Sequence, residues 1–251
     1  MPVPRAALRL GSAGLPLRVQ PLPLREARGL IWVWNGEPRD ELPDLPWNDA
    51  LDAELNTSDL ACALEAEFDV PFQRVMENAT DFLHLPVVHR TTMPVRPPLK
   101  NFECHVEGVH VRVRGEMTGV RGTMHLVAPF VMLNTFGEKI RFLAIATPID
   151  ATHTWLYARY VQDFVTLPLL GRAETWLTGM FDYRLLQTLQ DAPVWRSQQY
   201  EDPGVLKPCH LLHGDAGVAA YFQLHERLLR EGHEASHRIH REEPADALLA
   251  R

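Results

Sequence analysis

Between residues 100 and 162 the chain alternates apolar and polar positions with a period of two. Phe102, Cys104 and Val106 stand between charged or polar neighbours, and Val109, Val111 and Val113 repeat the pattern beyond a turn at Gly108. Runs at Thr123–Phe136, Lys139–Pro148 and Thr154–Val161 follow at regular spacing. Such spacing predicts an antiparallel sheet with one buried face. A strand around Leu60–Phe68 precedes it and leads through Pro71 into a helix near Phe72–Leu85. After the sheet, Leu169–Tyr200 reads as a long helix, with Trp176, Met180, Tyr183 and Leu186 at helical spacing. A last helix, Val218–Arg230, is expected to stop at Gly232, leaving a polar tail over 231–251. The class is α+β, an antiparallel sheet gripped by helices. Ahead of this block, residues 1–28 have no amphipathic period, and Gly29–Trp34 reads as a buried strand closed by Asn35-Gly36. Prolines and acids from 37 to 56 read as a linker.

Composition narrows the partners. The 251 residues carry 25 Lys and Arg against 32 Asp and Glu, a net charge of −7 that argues against sequence-independent nucleic-acid binding. No run of 18 apolar residues exists to form a transmembrane helix, and no apolar stretch follows Arg5 and Arg9 as a secretory signal requires. Cys62, Cys104 and Cys209 are odd in number and widely spaced, which excludes a disulfide framework and makes the cytoplasm the expected compartment. Four serines and no G-x-S-x-G elbow make a serine hydrolase unattractive.

The densest chemistry lies at Asn78, Asp81, His84 and His89. Two histidines five apart are about 140° apart on a straight α-helix, the wrong geometry for one face. Pro86 between them is expected to kink or end the helix so that the imidazoles converge. Asp81, one turn before His84, is placed to orient its ring. Two imidazoles and one carboxylate with open adjacent positions form the facial triad of non-haem Fe(II) oxygenases. The candidate carboxylate is Asp191 on the long helix, with Asp182 nine residues earlier as its competitor. Alone, a histidine pair on an apolar helix is more often structural; here the conjunction of residues carries the reading. His233-Glu234-x-x-His237 also matches the zincin signature. Its polar surroundings beyond Gly232 read as a solvated tail.

Asn78-x2-Asp81-x2-His84-x4-His89 resembles the mononuclear-iron signature of Rieske-type ring-hydroxylating oxygenase α subunits. Gln190-Asp191 with Gln198 and Gln199 is similar to the third-ligand helix of the demethylase-like branch, and Gly29–Trp34 to the closing strand of the family's Rieske domain. The resemblance implies a helix-grip (START-like) catalytic domain over 61–230, preceded by a Rieske-domain remnant over 1–38 and a linker over 39–60. It implies Fe(II) held by His84, His89 and Asp191, with Asn78 close by. Asp81 would bridge to a Rieske cluster on a neighbouring subunit of a homotrimer. It also implies O2, an apolar or aromatic small-molecule substrate and a reductase delivering electrons from NAD(P)H. Outcomes in the family are cis-dihydroxylation, monooxygenation and oxidative demethylation. One departure stands out. No cysteine here sits in C-x-H or C-x2-H, so this chain is not expected to bind a [2Fe–2S] Rieske cluster. Truncation of a longer α subunit is the favoured account, with a cluster supplied by another chain as the alternative. Rival functions are a helix-grip binding module, an inactive fragment and a zinc peptidase.

Overall fold

The computed structural model describes residues 8–9, 16–17, 21–34, 36, 41–42, 44–45, 47, 51–53, 61–137, 139–198 and 212–242, with backbone alone at 8–9, 16–17 and 233–242. The chain divides into two compact units, residues 1–45 and 46–251. Within the first, β1 (Leu8–Arg9) pairs with β2 (Pro16–Leu17), and β3 (Leu24–Ala27) with β4 (Leu30–Val33). Arg28 and Gly29, both at positive φ, make the two-residue turn of the second hairpin. The strand expected to be buried is not: Ile31 is 72% exposed. A two-stranded ribbon has only one neighbour per strand and little apolar surface to pack against.

The second unit is built on a seven-stranded sheet in the order β5-β11-β10-β9-β8-β7-β6. Its strands are β5 (Ala61–Phe68), β6 (Lys100–Glu107), β7 (His110–Met117), β8 (Val120–Val127), β9 (Val131–Phe136), β10 (Ile140–Pro148) and β11 (Thr154–Gln162). Every pairing is antiparallel. The predicted period of two holds, with two local differences. Val109 joins Gly108 in the turn, and Thr123–Phe136 is two strands rather than one. Register aligns one row across the sheet: Cys104, Val113, Met124, Asn134, Phe142, Tyr160 and Cys62. Because alternate residues share a face, this row sets what the concave side offers.

Helices close that side. α1 (Phe72–Asn78) ends well before Leu85, where the sequence predicts its end, and a separate single turn, α2 (Leu85–Val88), follows. α3 (Pro168–Phe181) runs into a π-helical segment (Asp182–Asp191) and then α4 (Ala192–Ser197). Its buried stripe is Gly171, Thr175 and Gly179, whereas Trp176 is 51% exposed. Small residues win here because a Cβ on Gly179 would lie 2.9 Å from the Tyr160 ring. α5 (Ala216–Glu242) packs against α1 and β7 and runs through Gly232, the expected stop. A Cβ on Gly232 would meet nothing within 4 Å, and an interior glycine costs a helix only about 1 kcal/mol, too little to end a segment of good helix formers. Among the described residues, no helix is long and apolar enough to cross a membrane.

The two glycines of α5 yield opposite expectations. At Gly217 an added Cβ would sit 2.6 Å from Val113 and 2.7 Å from the Thr80 carbonyl. Gly217→Ala should lower the unfolding free energy by about 1–3 kcal/mol in urea titrations. Gly232→Ala should raise it by about 0.5–1 kcal/mol.

Candidate metal centre

The loop between α1 and α2 is organised by Asp81. Its Oδ1 accepts hydrogen bonds from the backbone N–H of Leu83 (2.7 Å) and of His84 (3.3 Å), closing an Asx turn. Pro86 then sits in the first turn of α2, where its missing N–H costs nothing. It therefore starts a helix rather than breaking one, contrary to the sequence expectation. His84 precedes that single turn and His89 follows it, bringing the ring centroids to 5.2 Å. Asp81 does orient His84, but through its backbone. The Nδ1–H of His84 donates to the Asp81 carbonyl oxygen at 2.6 Å, while the carboxylate stands 3.9 Å away. Burial raises the pKa of the Asp81 carboxyl, against the pull of His84.

His89 is fixed from the far helix. Its Nδ1–H donates to Gln190 Oε1 at 2.7 Å, and the same oxygen accepts from the Thr92 hydroxyl at 2.9 Å. Both rings thus spend Nδ1 on an oxygen and turn an Nε2 lone pair inward. Candidate ligand atoms of His84, His89 and Asp191 lie within 4.8 Å of one another. Asp191 Oδ1 is 3.2 Å from His89 Nε2, yet it is buried with no hydrogen-bond donor. Two lone-pair atoms that close, away from water, repel unless a cation lies between them. Burial pushes the His89 pKa down, but Asp191 and Gln190 reverse this and the net shift is upward. The same field that holds a proton suits a divalent metal, so the donor set fits a mononuclear Fe(II).

The π-helical segment separates the two competing carboxylates. On an α-helix, residues nine apart point about 180° from one another. With i→i+5 bonding and about 4.4 residues per turn, nine residues make nearly two full turns, so Asp182 and Asp191 share a face. Both line a cavity of about 220 Å³. Only Asp191 joins the two histidines; Asp182 Oδ2 accepts instead from the Tyr160 hydroxyl and the Gln187 amide, each at 2.5 Å. Burial pushes the Asp182 pKa up to about 6 against those hydrogen bonds. The remaining walls are largely apolar, including Leu85, Met132 and Phe142, and Asn78 also lines the cavity. Phe82 is outside the cavity lining and packs over Gly115 and Gly122.

Gln198 is exposed and outside this cavity, and Gln199 and Cys209 fall outside the described residues. His233 and His237 lie on the continuous helix α5 rather than in a tail; their side chains are outside the described set. Asn134, Tyr160 and Gln187 escape sequence reasoning. The available signal was a polar residue, Asn134, at an inward position of a strand between Met132 and Phe136.

No protein-family model matches the chain. A Comamonas testosteroni protein named as the iron-sulfur subunit TsaM2 of a toluene-4-sulfonate monooxygenase system is 32% identical over 79 residues, 30% of this chain and 21% of that protein. Among solved structures, Pseudomonas putida CBB5 NdmA aligns with 91% of this chain and 65% of its own, at a TM-score of 0.60 and 17% identity. Dicamba monooxygenase with bound 3,6-dichlorosalicylic acid aligns over 89% of this chain and 76% of its own, with a TM-score of 0.64 and 16% identity. The quaternary ammonium Rieske monooxygenase CntA aligns over 85% and 62%, with a TM-score of 0.56 and 15% identity. The chain therefore has the fold found in Rieske-type non-haem iron oxygenases, and it spans about two thirds of the NdmA chain.

Gln190→Leu removes the acceptor that fixes the His89 ring. It should weaken Fe(II) or Co(II) affinity about 10–100-fold in anaerobic titrations, with far-UV circular dichroism unchanged.

Proposed function

We propose that this chain is the catalytic region of a Rieske-type oxygenase, with His84, His89 and Asp191 holding a mononuclear Fe(II). The observation that carries this reading is Asp191 Oδ1, buried without a donor and facing the Nε2 of His89. When bound, the iron supplies the centre at which O2 is activated beside an apolar substrate. The chain's own residues do the rest. The Asp81 carbonyl and Gln190 hold the two imidazoles in the tautomer that keeps Nε2 free. Met124, Met132, Phe142 and Leu156 keep water from the substrate side. Asn78 stands in the same cavity, near the histidines. A Rieske cluster outside this chain's cysteines would supply the electrons, with Asp81 as the residue that would face it in a trimer. The reaction is monooxygenation, either hydroxylation or oxidative demethylation of a small molecule.

The test is metal stoichiometry after anaerobic reconstitution. The expected result is about one iron per chain and no acid-labile sulfide, with iron lost in His84→Ala, His89→Ala and Asp191→Ala. His233→Ala and His237→Ala should keep their iron. Retention of iron in the first three variants, or its loss in the last two, contradicts the assignment.

A further inference from the structure

The cavity is also lined by polar groups outside the cluster of His84, His89 and Asp191. On the concave face, Asn134, Phe142 and Tyr160 stand side by side on β9, β10 and β11. Phe142 stacks on Tyr160 with centroids 5.0 Å apart. The Tyr160 hydroxyl and the Gln187 amide both donate to one oxygen of Asp182, which fixes that carboxylate against the cavity wall. Asn134 is 7% exposed, and its amide oxygen is buried without a donor. Both residues line the same cavity: Asp182 brings a carboxylate held by two donors, and Asn134 an amide oxygen with no donor among the described residues. Among the described residues lining the cavity, none is Lys or Arg.

We propose that Asp182 and Asn134 form the head-group site of the substrate cavity, selecting a small apolar or aromatic molecule that bears an N–H donor, above all a protonated amine. The inference rests on reading this cavity as the substrate site. Its physical basis is the charge balance of an enclosed space. A carboxylate or sulfonate entering the metal-free cavity meets Asp182 and Asp191 with no lysine or arginine beside them; with Fe(II) bound, the ion offsets Asp191 and the repulsion that remains is that of Asp182. An ammonium meets a fixed carboxylate and an amide oxygen that needs a donor. A neutral hydroxyl satisfies the same acceptors without the charge. The sulfonate in the name of the Comamonas testosteroni relative is thus the kind of group this cavity should reject.

Three probes of one shape separate the possibilities: 2-phenylethylamine, 2-phenylethanol and 3-phenylpropanoate. Amines and carboxylates also ligate iron, so titration calorimetry is run on the full chain both iron-loaded and chelator-stripped. Fe(II), which attracts the carboxylate, should narrow the preference; in the stripped form the amine should bind at least about tenfold more tightly than the carboxylate, with the alcohol between them. Asp182→Asn keeps an oxygen for Tyr160 and Gln187 but removes the charge, and should shrink that ratio to about threefold or less. Asn134→Leu should weaken the amine and the alcohol together. Thermal melts and iron content of both variants confirm that fold and metal site are intact. The preference in stripped protein stands or falls without iron, so its failure is distinct from failure of the oxygenase reading. In the stripped form, equal binding of amine and carboxylate, binding of none of the three, or a preference that survives Asp182→Asn overturns the proposal.

Discussion

Everything at the candidate centre depends on where two imidazoles place one proton each. A neutral histidine has a single donor and a single acceptor, and only the acceptor can bind a metal. Here both donors are assigned by oxygens supplied from different parts of the chain, the Asp81 carbonyl for His84 and the Gln190 side chain for His89. The consequence is two lone pairs and a buried carboxylate oxygen pointed at one another, an arrangement with no internal complement. Stability alone would not favour it, because an unpaired buried acceptor costs about 1–3 kcal/mol.

The fold is arranged to hold that geometry. The seven-stranded sheet presents one cross-strand row to the helices, and four residues of that row, Met124, Asn134, Phe142 and Tyr160, line the cavity. Gly179 lets α3 approach Tyr160, while Gly217 lets α5 lie on the Thr80 carbonyl, just ahead of the loop bearing Asp81 and His84. The π-helical segment then turns two acids nine residues apart toward one cavity. One acid completes the histidine pair, and the other is tied to Tyr160 and Gln187.

Much of this was legible in the sequence. Strand alternation is a property of single residues, so the sheet and its inward face follow from the order of Val, Phe and Met. The histidine pair and Asp191 stood out because imidazoles and acids among apolar neighbours are costly without a purpose. What escaped depends on contacts between distant segments. The helix predicted to reach Leu85 ends at Asn78 because the Asp81 side chain captures the backbone of the next turn. The π geometry has no local signature in Asp182–Asp191, so the shared face of its two acids could not be read from the helical period. Trp176 departs from its expected stripe, while Leu186 is buried in it, for a related reason: glycines, silent in a hydrophobic pattern, set how closely α3 approaches the sheet.

The central claim is that one iron is bound by two imidazoles and a carboxylate, with no sulfur. X-ray absorption at the iron edge of the reconstituted chain reads this directly. The account predicts a nitrogen and oxygen inner shell with the outer scattering of two imidazole rings, falling to one ring in any residual iron of His84→Ala. Sulfur or iron–iron scattering, or a spectrum without imidazole, would contradict it.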